Sequence, residues 1–300
     1  MAQKPTLTKT EEIKRVIPLA GGRKLPLSRP LVMGVLNVTP DSFYDGGRYN
    51  SVSAGVHQAL RMQEEGADLI DIGGESSRPA GIYSEGATPV DEEEEKRRVI
   101  PVIEAIRRET DVCLSVDTYR AGVAEAALDA GADIVNDITA LRGDERLGDV
   151  VAARGVPIVL MHMKGRPQNM QLNPSYSDCV GEILDFFAER LTCCDVRGIE
   201  RRQVIVDPGI GFGKRLSDNL EILSRLGRFR ELGCPVLIGA SRKSYLGQLS
   251  DTMSDPEKRL SGSIASAVMA MLHGADILRV HDVEPTVQAI KVVRAIREVV

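Results

Sequence analysis

The chain has no Trp, and aromatic residues make up only 4% of its 300 residues. A core built from this composition has to be aliphatic. No apolar run approaches the roughly 18 residues that cross a bilayer, so no membrane partner is expected. The opening MAQKPTLTKTEEIKR lacks the apolar stretch of a secretory signal. The five Cys, at 113, 179, 193, 194 and 234, are odd in number and form no C-x-x-C. That argues against a disulfide framework and a zinc site, and makes a reducing cytoplasm the expected compartment. Net charge is −5 with no basic stripe, so a nucleic-acid partner is not expected. An anionic ligand would have to meet a local group of cations. Neither G-x-G-x-x-G nor G-x-x-x-x-G-K-[ST] occurs, which removes the common nucleotide folds. The absence of H-E-x-x-H and G-x-S-x-G leaves zinc-protease and serine-hydrolase readings without support.

What is present is an alternation. Eight short β-branched runs occur at Leu31–Val38, Asp68–Gly73, Cys113–Asp117, Ile134–Ile138, Pro157–His162, Val204–Asp207, Pro235–Ser241 and Ile277–His281. Several are continuously apolar, as strands covered on both faces are. Helical stretches lie between them. Arg97–Arg108 places Val99, Val102, Ile103 and Ile106 on one face, preceded by Asp91 and four Glu. Pro101 is expected to bend its first turns. The last segment puts Ala289, Val293, Ile296 and Val300 on one stripe.

Glycines at 66, 131, 155, 198, 233 and 274 each precede a run, where a helix would stop in the left-handed C′ conformation. Three of them open the same tripeptide, Gly-Ala-Asp, at 66–68, 131–133 and 274–276. Repeated strand–helix units need right-handed crossovers and a parallel sheet. Eight of them predict an α/β fold, a (β/α)8 TIM barrel in one domain, with a doubly wound open sheet as the alternative. Residues 31–300 form the predicted barrel. Residues 1–30 form an N-terminal extension, in which Arg15–Ala20 and Lys24–Leu27 flank Gly21-Gly22 as a short hairpin that could plug the barrel bottom.

Barrel enzymes place their chemistry where the strands end. Here the ends carry Asn37; Asp71 and Glu75; Asp117; Asn136 and Asp137; His162; Asp207; Ser241, Arg242 and Lys243; and Arg279, His281 and Asp282. Any one of these is more simply a cap or a packed polar residue. All eight ends together are expected to converge on one mouth. Asp117, Asn136 and Asp207 offer carboxylate and amide edges suited to a planar amidine-like group such as a 2-amino-pyrimidinone. Lys243, Arg279 and His281 offer positive charge and donors for an oxyanion. The loops 37–47 and 73–79 are expected to be mobile lids. The segment Gly209–Lys214 fits neither nucleotide fingerprint and reads equally as a tight turn presenting Phe212.

These residues, in order, resemble the dihydropteroate synthase family. The likeness lies in MGVLNVTPDSF (33–43), DIGGESSRP (71–79), SVDT (115–118), VNDI (135–138), MHMKG (161–165), DPGIGFGK (207–214), SRKS (241–244) and RVHDV (279–283). The resemblance implies a transferase of folate biosynthesis. It would join 6-hydroxymethyl-7,8-dihydropterin diphosphate to p-aminobenzoate, with Mg²⁺ assisting and diphosphate leaving. It further implies that Asp117, Asn136, Asp207 and Lys243 hold the pterin, with Ile138 and Met161 against its faces. Asn37, Arg279 and His281 would hold the diphosphate, and Asn37 would also meet the metal. Phe43, Ser77, Arg78, Pro79, Phe212, Lys243 and Ser244 would form the p-aminobenzoate pocket. Asn37, Asp117, Lys243, Arg279 and His281 would carry the catalysis. Ser77 stands where many members have Thr, and Ala80 precedes Gly81 where Gly usually comes first. The family implies a homodimer, for which the apolar helix Ser261–His273 is one candidate surface, and is a target of sulfonamides, whose affinity the Ser77 and Ala80-Gly81 departures bear on. Two alternatives share the barrel: a methyltetrahydrofolate:corrinoid methyltransferase and a catalytically silent pterin-binding paralogue.

Overall fold

A computed structural model describes residues 15–38, 48–75, 90–166, 169–250 and 255–299; within these, side chains 48–51 are left aside. Two short strands, β1 (Val16–Pro18) and β2 (Lys24–Pro26), pair antiparallel as the expected hairpin. Eight parallel strands follow: β3 (Leu31–Asn37), β4 (Leu69–Gly73), β5 (Cys113–Asp117), β6 (Ile134–Asp137), β7 (Ile158–Met161), β8 (Val204–Asp207), β9 (Leu237–Ile238) and β10 (Ile277–Val280). Their order is β8-β7-β6-β5-β4-β3-β10-β9, and a parallel bridge between Val206 and Val236 joins the two ends. The sheet is therefore a closed ring with helices outside, the predicted (β/α)8 barrel, and the open-sheet alternative falls.

The two faces of every strand separate by a two-residue period. Val32, Ile70, Leu114, Val135, Ile158, Val204, Ile238 and Leu278 pack outward with the helices. Leu31, Leu69, Cys113, Ile134, Val159, Ile205, Leu237 and Ile277 pack inward as one cluster, together with Ile17, Leu19 and Leu27 from the hairpin region. The hairpin thus fills the barrel's lower end with aliphatic side chains. Each fully buried one contributes about 1.5–3 kcal/mol.

The three Gly-Ala-Asp tripeptides share one geometry. The Asp N–H donates to a carbonyl of the preceding strand, and the carboxylate accepts the N–H of that same residue. Asp68 does this with Val32 (2.8 and 2.9 Å), Asp133 with Leu114 (2.7 and 2.9 Å) and Asp276 with Val236 (2.8 and 2.9 Å). Each Asp also takes an arginine from the N-terminal segment: Arg29 on Asp68 (2.5 and 2.8 Å), Arg23 on Asp133, and Arg15 on Asp276 (2.8 and 2.9 Å). The hairpin region is tied to the barrel at three separate strands.

Two helix expectations need correcting. The helix expected over 97–108 spans Glu92–Glu109 and runs on through Pro101. Its four Glu form the first turn, behind an Asp91 cap that accepts from the Glu94 N–H at 2.7 Å. The last helix, Val283–Glu298, buries Val283, Thr286 and Ile290, while Ile296 is 62% exposed. Val293 of the expected stripe, with Val287, packs half-buried against the core, so only the C-terminal part of that stripe lies off it. All six predicted glycine stops have positive φ.

Candidate functional site

The inward phase of the strands, carried to their C-terminal ends, selects the site. Asp117, Asn136, Ile138, Met161, Asp207 and Arg279 continue the phase of Cys113, Ile134, Val159, Ile205 and Ile277. With Ile210, Phe212, Gly239 and Lys243 they line one pocket that encloses about 340 Å³ of empty space, part of it open to solvent. Every pterin-contact residue expected from the sequence is among them. Met161, Met163, Met170 and Phe212 form an apolar cluster beside it, with Ile138 packed on.

The outward phase corrects the expectation that all the polar strand ends converge. Asp137 faces away and accepts from the Thr139 N–H (2.7 Å), the Thr139 hydroxyl (2.6 Å) and the Leu141 N–H (2.6 Å). His162 packs edge-on to Phe186. Arg242 and Asp282 pair with each other at 3.0 and 2.6 Å. Glu75 shares the inward phase of Leu69 and Asp71 but lies beyond the end of β4, and it pairs with Arg120 at 2.8 Å. These residues cap and brace the loops.

An ionic floor underlies the pocket. Arg279 donates from Nε to Asp71 Oδ2 at 2.6 Å and from Nη2 to Asp117 Oδ2 at 2.9 Å. Asn136 Nδ2 donates to the same Asp71 oxygen at 3.0 Å. Burial, then the Asp71 charge, push Asp117 up to about 7, against the pull of Arg279. Burial also raises Asp207, whose Oδ1 accepts the Gly209 N–H at 2.8 Å. Lys243 is driven down to about 8, first by burial and then by Arg279. Its Nζ lies 4.1 Å from the Phe212 ring centroid.

His281 does not bring the positive charge expected of it. Burial, with Arg279, Arg242 and Lys243 nearby, lowers its pKa to about 3, so the ring is neutral. Its Nδ1 and backbone N lie 3.1 and 3.2 Å from the Ser241 hydroxyl. The cations of the mouth are Lys243 and Arg279. Asn37 ends β3 half-buried, and Ser244 opens the helix Ser244–Ser250, also half-buried. Phe43, Ser77, Arg78 and Pro79, and with them residues 39–47 and 76–79 of the two expected lids, lie outside the described residues. Among the described residues no three His, Cys, Asp or Glu are grouped to hold a metal ion.

Sequence reasoning named Asp71 as a strand end but did not assign it to the site. It also missed Ile210, Gly239 and the buried Lys214. The signal for Asp71 was available: it stands two residues after the inward Leu69.

The arrangement offers acceptor edges at the bottom, an apolar wall, and two cations on one side. Such a slot takes a flat heterocycle with an anionic substituent.

Comparison with known proteins points the same way. The family of pterin binding enzymes matches residues 33–281. The dihydropteroate synthase of Escherichia coli K12 is 48% identical over 276 residues, 92% of this chain and 95% of that protein. That of Synechocystis is 46% identical over 268 residues, 89% and 90% of the two chains. The solved structure of Xanthomonas albilineans dihydropteroate synthase with 4-aminobenzoic acid superposes with a TM-score of 0.85 at 48% identity, covering 93% of this chain and 98% of that one. The same enzyme in complex with 7,8-dihydropteroate superposes with a TM-score of 0.82 at 46% identity, covering 93% and 99%.

Proposed function

The chain belongs to the pterin binding enzyme family, and on that premise we propose how its mouth carries out the dihydropteroate synthase reaction. The pterinylmethyl group of 6-hydroxymethyl-7,8-dihydropterin diphosphate passes to the amine of p-aminobenzoate, giving dihydropteroate and diphosphate. The observation that carries this reading is the single pocket holding Asp117, Asn136, Asp207, Lys243 and Arg279 between Ile138, Met161 and Phe212.

The pterin lies flat against Ile138 and Met161. Asn136 and Asp207 read its amide and 2-amino edge, since a carboxylate accepts two parallel N–H bonds. Diphosphate is a poor leaving group until its growing charge is met. Arg279 and neutral His281 meet it with donors. Asn37 would hold Mg²⁺; one amide oxygen fits an ion whose other ligands are phosphate oxygens and water. When bound there, the metal neutralises charge on the departing diphosphate.

The carbon left behind is cationic and conjugated with the ring. Asp117 and Asp207 stabilise that charge, so the path is SN1-like. Phe43, Ser77, Arg78, Pro79, Phe212, Lys243 and Ser244 then hold the arylamine and keep out water that would capture the cation. A corrinoid methyltransferase would have no use for the Lys243–Arg279 cation pair.

Residues 1–30 serve as an extension to a barrel of residues 31–300. The protein acts as a homodimer in the cytoplasm. Supporting the dimer, the helix Leu260–Leu272 buries Ser263 and Ser266 yet leaves Met269 and Leu272 each 44% exposed. All five cysteines are free. Among the described residues no helix is long and apolar enough to cross a membrane.

The deciding experiment measures diphosphate release from the pterin diphosphate with and without p-aminobenzoate. Amine-dependent release with a stoichiometric pteroate product is expected. Release without any amine-dependent product would sink the assignment.

A further inference from the structure

Lys214 closes the Gly209–Lys214 segment, and the reaction as proposed leaves it unused. It is only 3% exposed. Its Nζ lies 3.0 Å from the Phe212 carbonyl, 3.3 Å from the His162 carbonyl and 3.0 Å from His162 Nδ1. Three ammonium protons thus meet three acceptors. Burial and the neighbouring Lys214 hold His162 down to about 2, so its ring is neutral and Nδ1 is free to accept. Burial also lowers Lys214 to about 7. A buried ammonium is costly, and this one is satisfied by the backbone of two different loops.

The contact joins the segment after β8 to the one after β7. Other bonds hold the same segment. Tyr176 donates to the Gly213 carbonyl at 2.8 Å, and Gln171 to the Gly211 carbonyl at 2.6 Å. Asn219 accepts the Gly211 N–H at 2.7 Å. Gly209 and Gly213 have φ of 72° and 65°, and a Cβ at either would strike the carbonyl oxygen of His162 or Lys164. Glycine is required there both for the left-handed backbone and for the close approach. What the segment carries into the pocket is Phe212, 7% exposed and stacked under Lys243.

We propose that Lys214 is a positioning residue for the second substrate: by tying the Phe212 carbonyl to His162 it fixes the Phe212 ring, with Lys243, where the arylamine must lie. This rests on the reading of Phe212 as an arylamine contact. Removing the amine strips donors from two carbonyls and one ring nitrogen, and the hold on Phe212 loosens even though the bonds to Gly211 and Gly213 remain. A misplacement of about 1 Å can cost up to about 100-fold.

The test uses the full chain and both substrates. Lys214→Met is expected to raise KM for p-aminobenzoate at least about tenfold while KM for the pterin diphosphate stays within about twofold. Adding Phe212→Ala to it should change the p-aminobenzoate constant by less than about twofold more, because the two act as one unit. An equal rise in both constants, or none for p-aminobenzoate, overturns the proposal. Phe212→Ala alone separates this inference from the reading beneath it. If that variant leaves KM for p-aminobenzoate unchanged, Phe212 is no arylamine contact and both fall. If it raises that constant and Lys214→Met does not, only the role of Lys214 falls. Should Lys214→Met not fold, His162→Leu removes one of the three acceptors and keeps the lysine. It is expected to raise the same constant about threefold, and no rise overturns the proposal equally.

Discussion

Asp71 Oδ2 accepts from Arg279 Nε at 2.6 Å and from Asn136 Nδ2 at 3.0 Å, while Asp71 Oδ1 is buried and has no partner among the described residues. A carboxylate can only accept, so Asn136 must present its nitrogen to Asp71. One buried side chain therefore orients both an amide and a guanidinium of the pocket.

Asp71→Asn keeps the shape and weakens that hold. Pterin affinity, measured by calorimetry, is expected to fall about tenfold, or ~1.4 kcal/mol. Unchanged affinity would show that Asp71 does not orient Asn136 and Arg279 for binding.

The pKa of Asp117 implies a pH dependence of a definite sign. Folding raises it from 3.8 to about 7. The folded chain therefore holds this proton more tightly than the unfolded one. The stability it contributes is present at low pH and is lost as pH rises through that window. Asp117→Asn should make the decline in melting temperature between about pH 5 and 7.5 shallower. Parallel curves for the two proteins would contradict the assignment.

His162 and His281 are held at about 2 and about 3 by burial and nearby cations. In an NMR titration of the substrate-free protein, neither ring should change its shifts between about pH 5.5 and 8. A midpoint near 6.5 for either one would mean that its ring is solvated.

Asp133 is 2% exposed, pairs with Arg23 and Arg107, and accepts the Leu114 N–H. Asp133→Ala leaves charges and an N–H without partners. A loss of about 3–5 kcal/mol is expected in denaturant unfolding, with both KM values unchanged. A loss below about 1 kcal/mol would show that the tie between hairpin and barrel is dispensable.

The division of the mouth between two substrates can be checked with a pair of variants. Asp207→Asn replaces an acceptor-only edge with a mixed one and should weaken pterin binding about tenfold or more. Arg78→Ala should weaken p-aminobenzoate binding and leave pterin binding intact. Equal losses for both ligands in Arg78→Ala would contradict the division.

The barrel was legible because burial on both faces leaves a continuous apolar run, and eight such runs recur between glycine stops. The pocket-lining residues proposed to contact the pterin were named through the family motifs. Their physical signal was the two-residue phase, which separates inward Asn136 from outward Asp137 and inward Met161 from outward His162. Without that phase, every polar strand end looked alike, and Asp71 was passed over for the site. The neutral state of His281 was not legible. It depends on burial beside Arg279 and Lys243, which only the closed ring produces. The last helix was legible only in part: Val287, Ile290 and Val293 meet the core, and Ile296 lies beyond them, exposed. Phe43, Ser77, Arg78 and Pro79 rest on the motif alone.

The bond between Arg15 and Asp276 joins positions 261 residues apart. On a ribosome the hairpin is made first, yet its third anchor is nearly the last part of the barrel to emerge. The aliphatic lower end of the ring, Ile17 and Leu27 included, must wait for β10 before it is fully enclosed. Ring closure and the last of the three hairpin anchors are thus late events in synthesis, and a chain halted before residue 276 presents an unsealed barrel to whatever chaperones or proteases it meets.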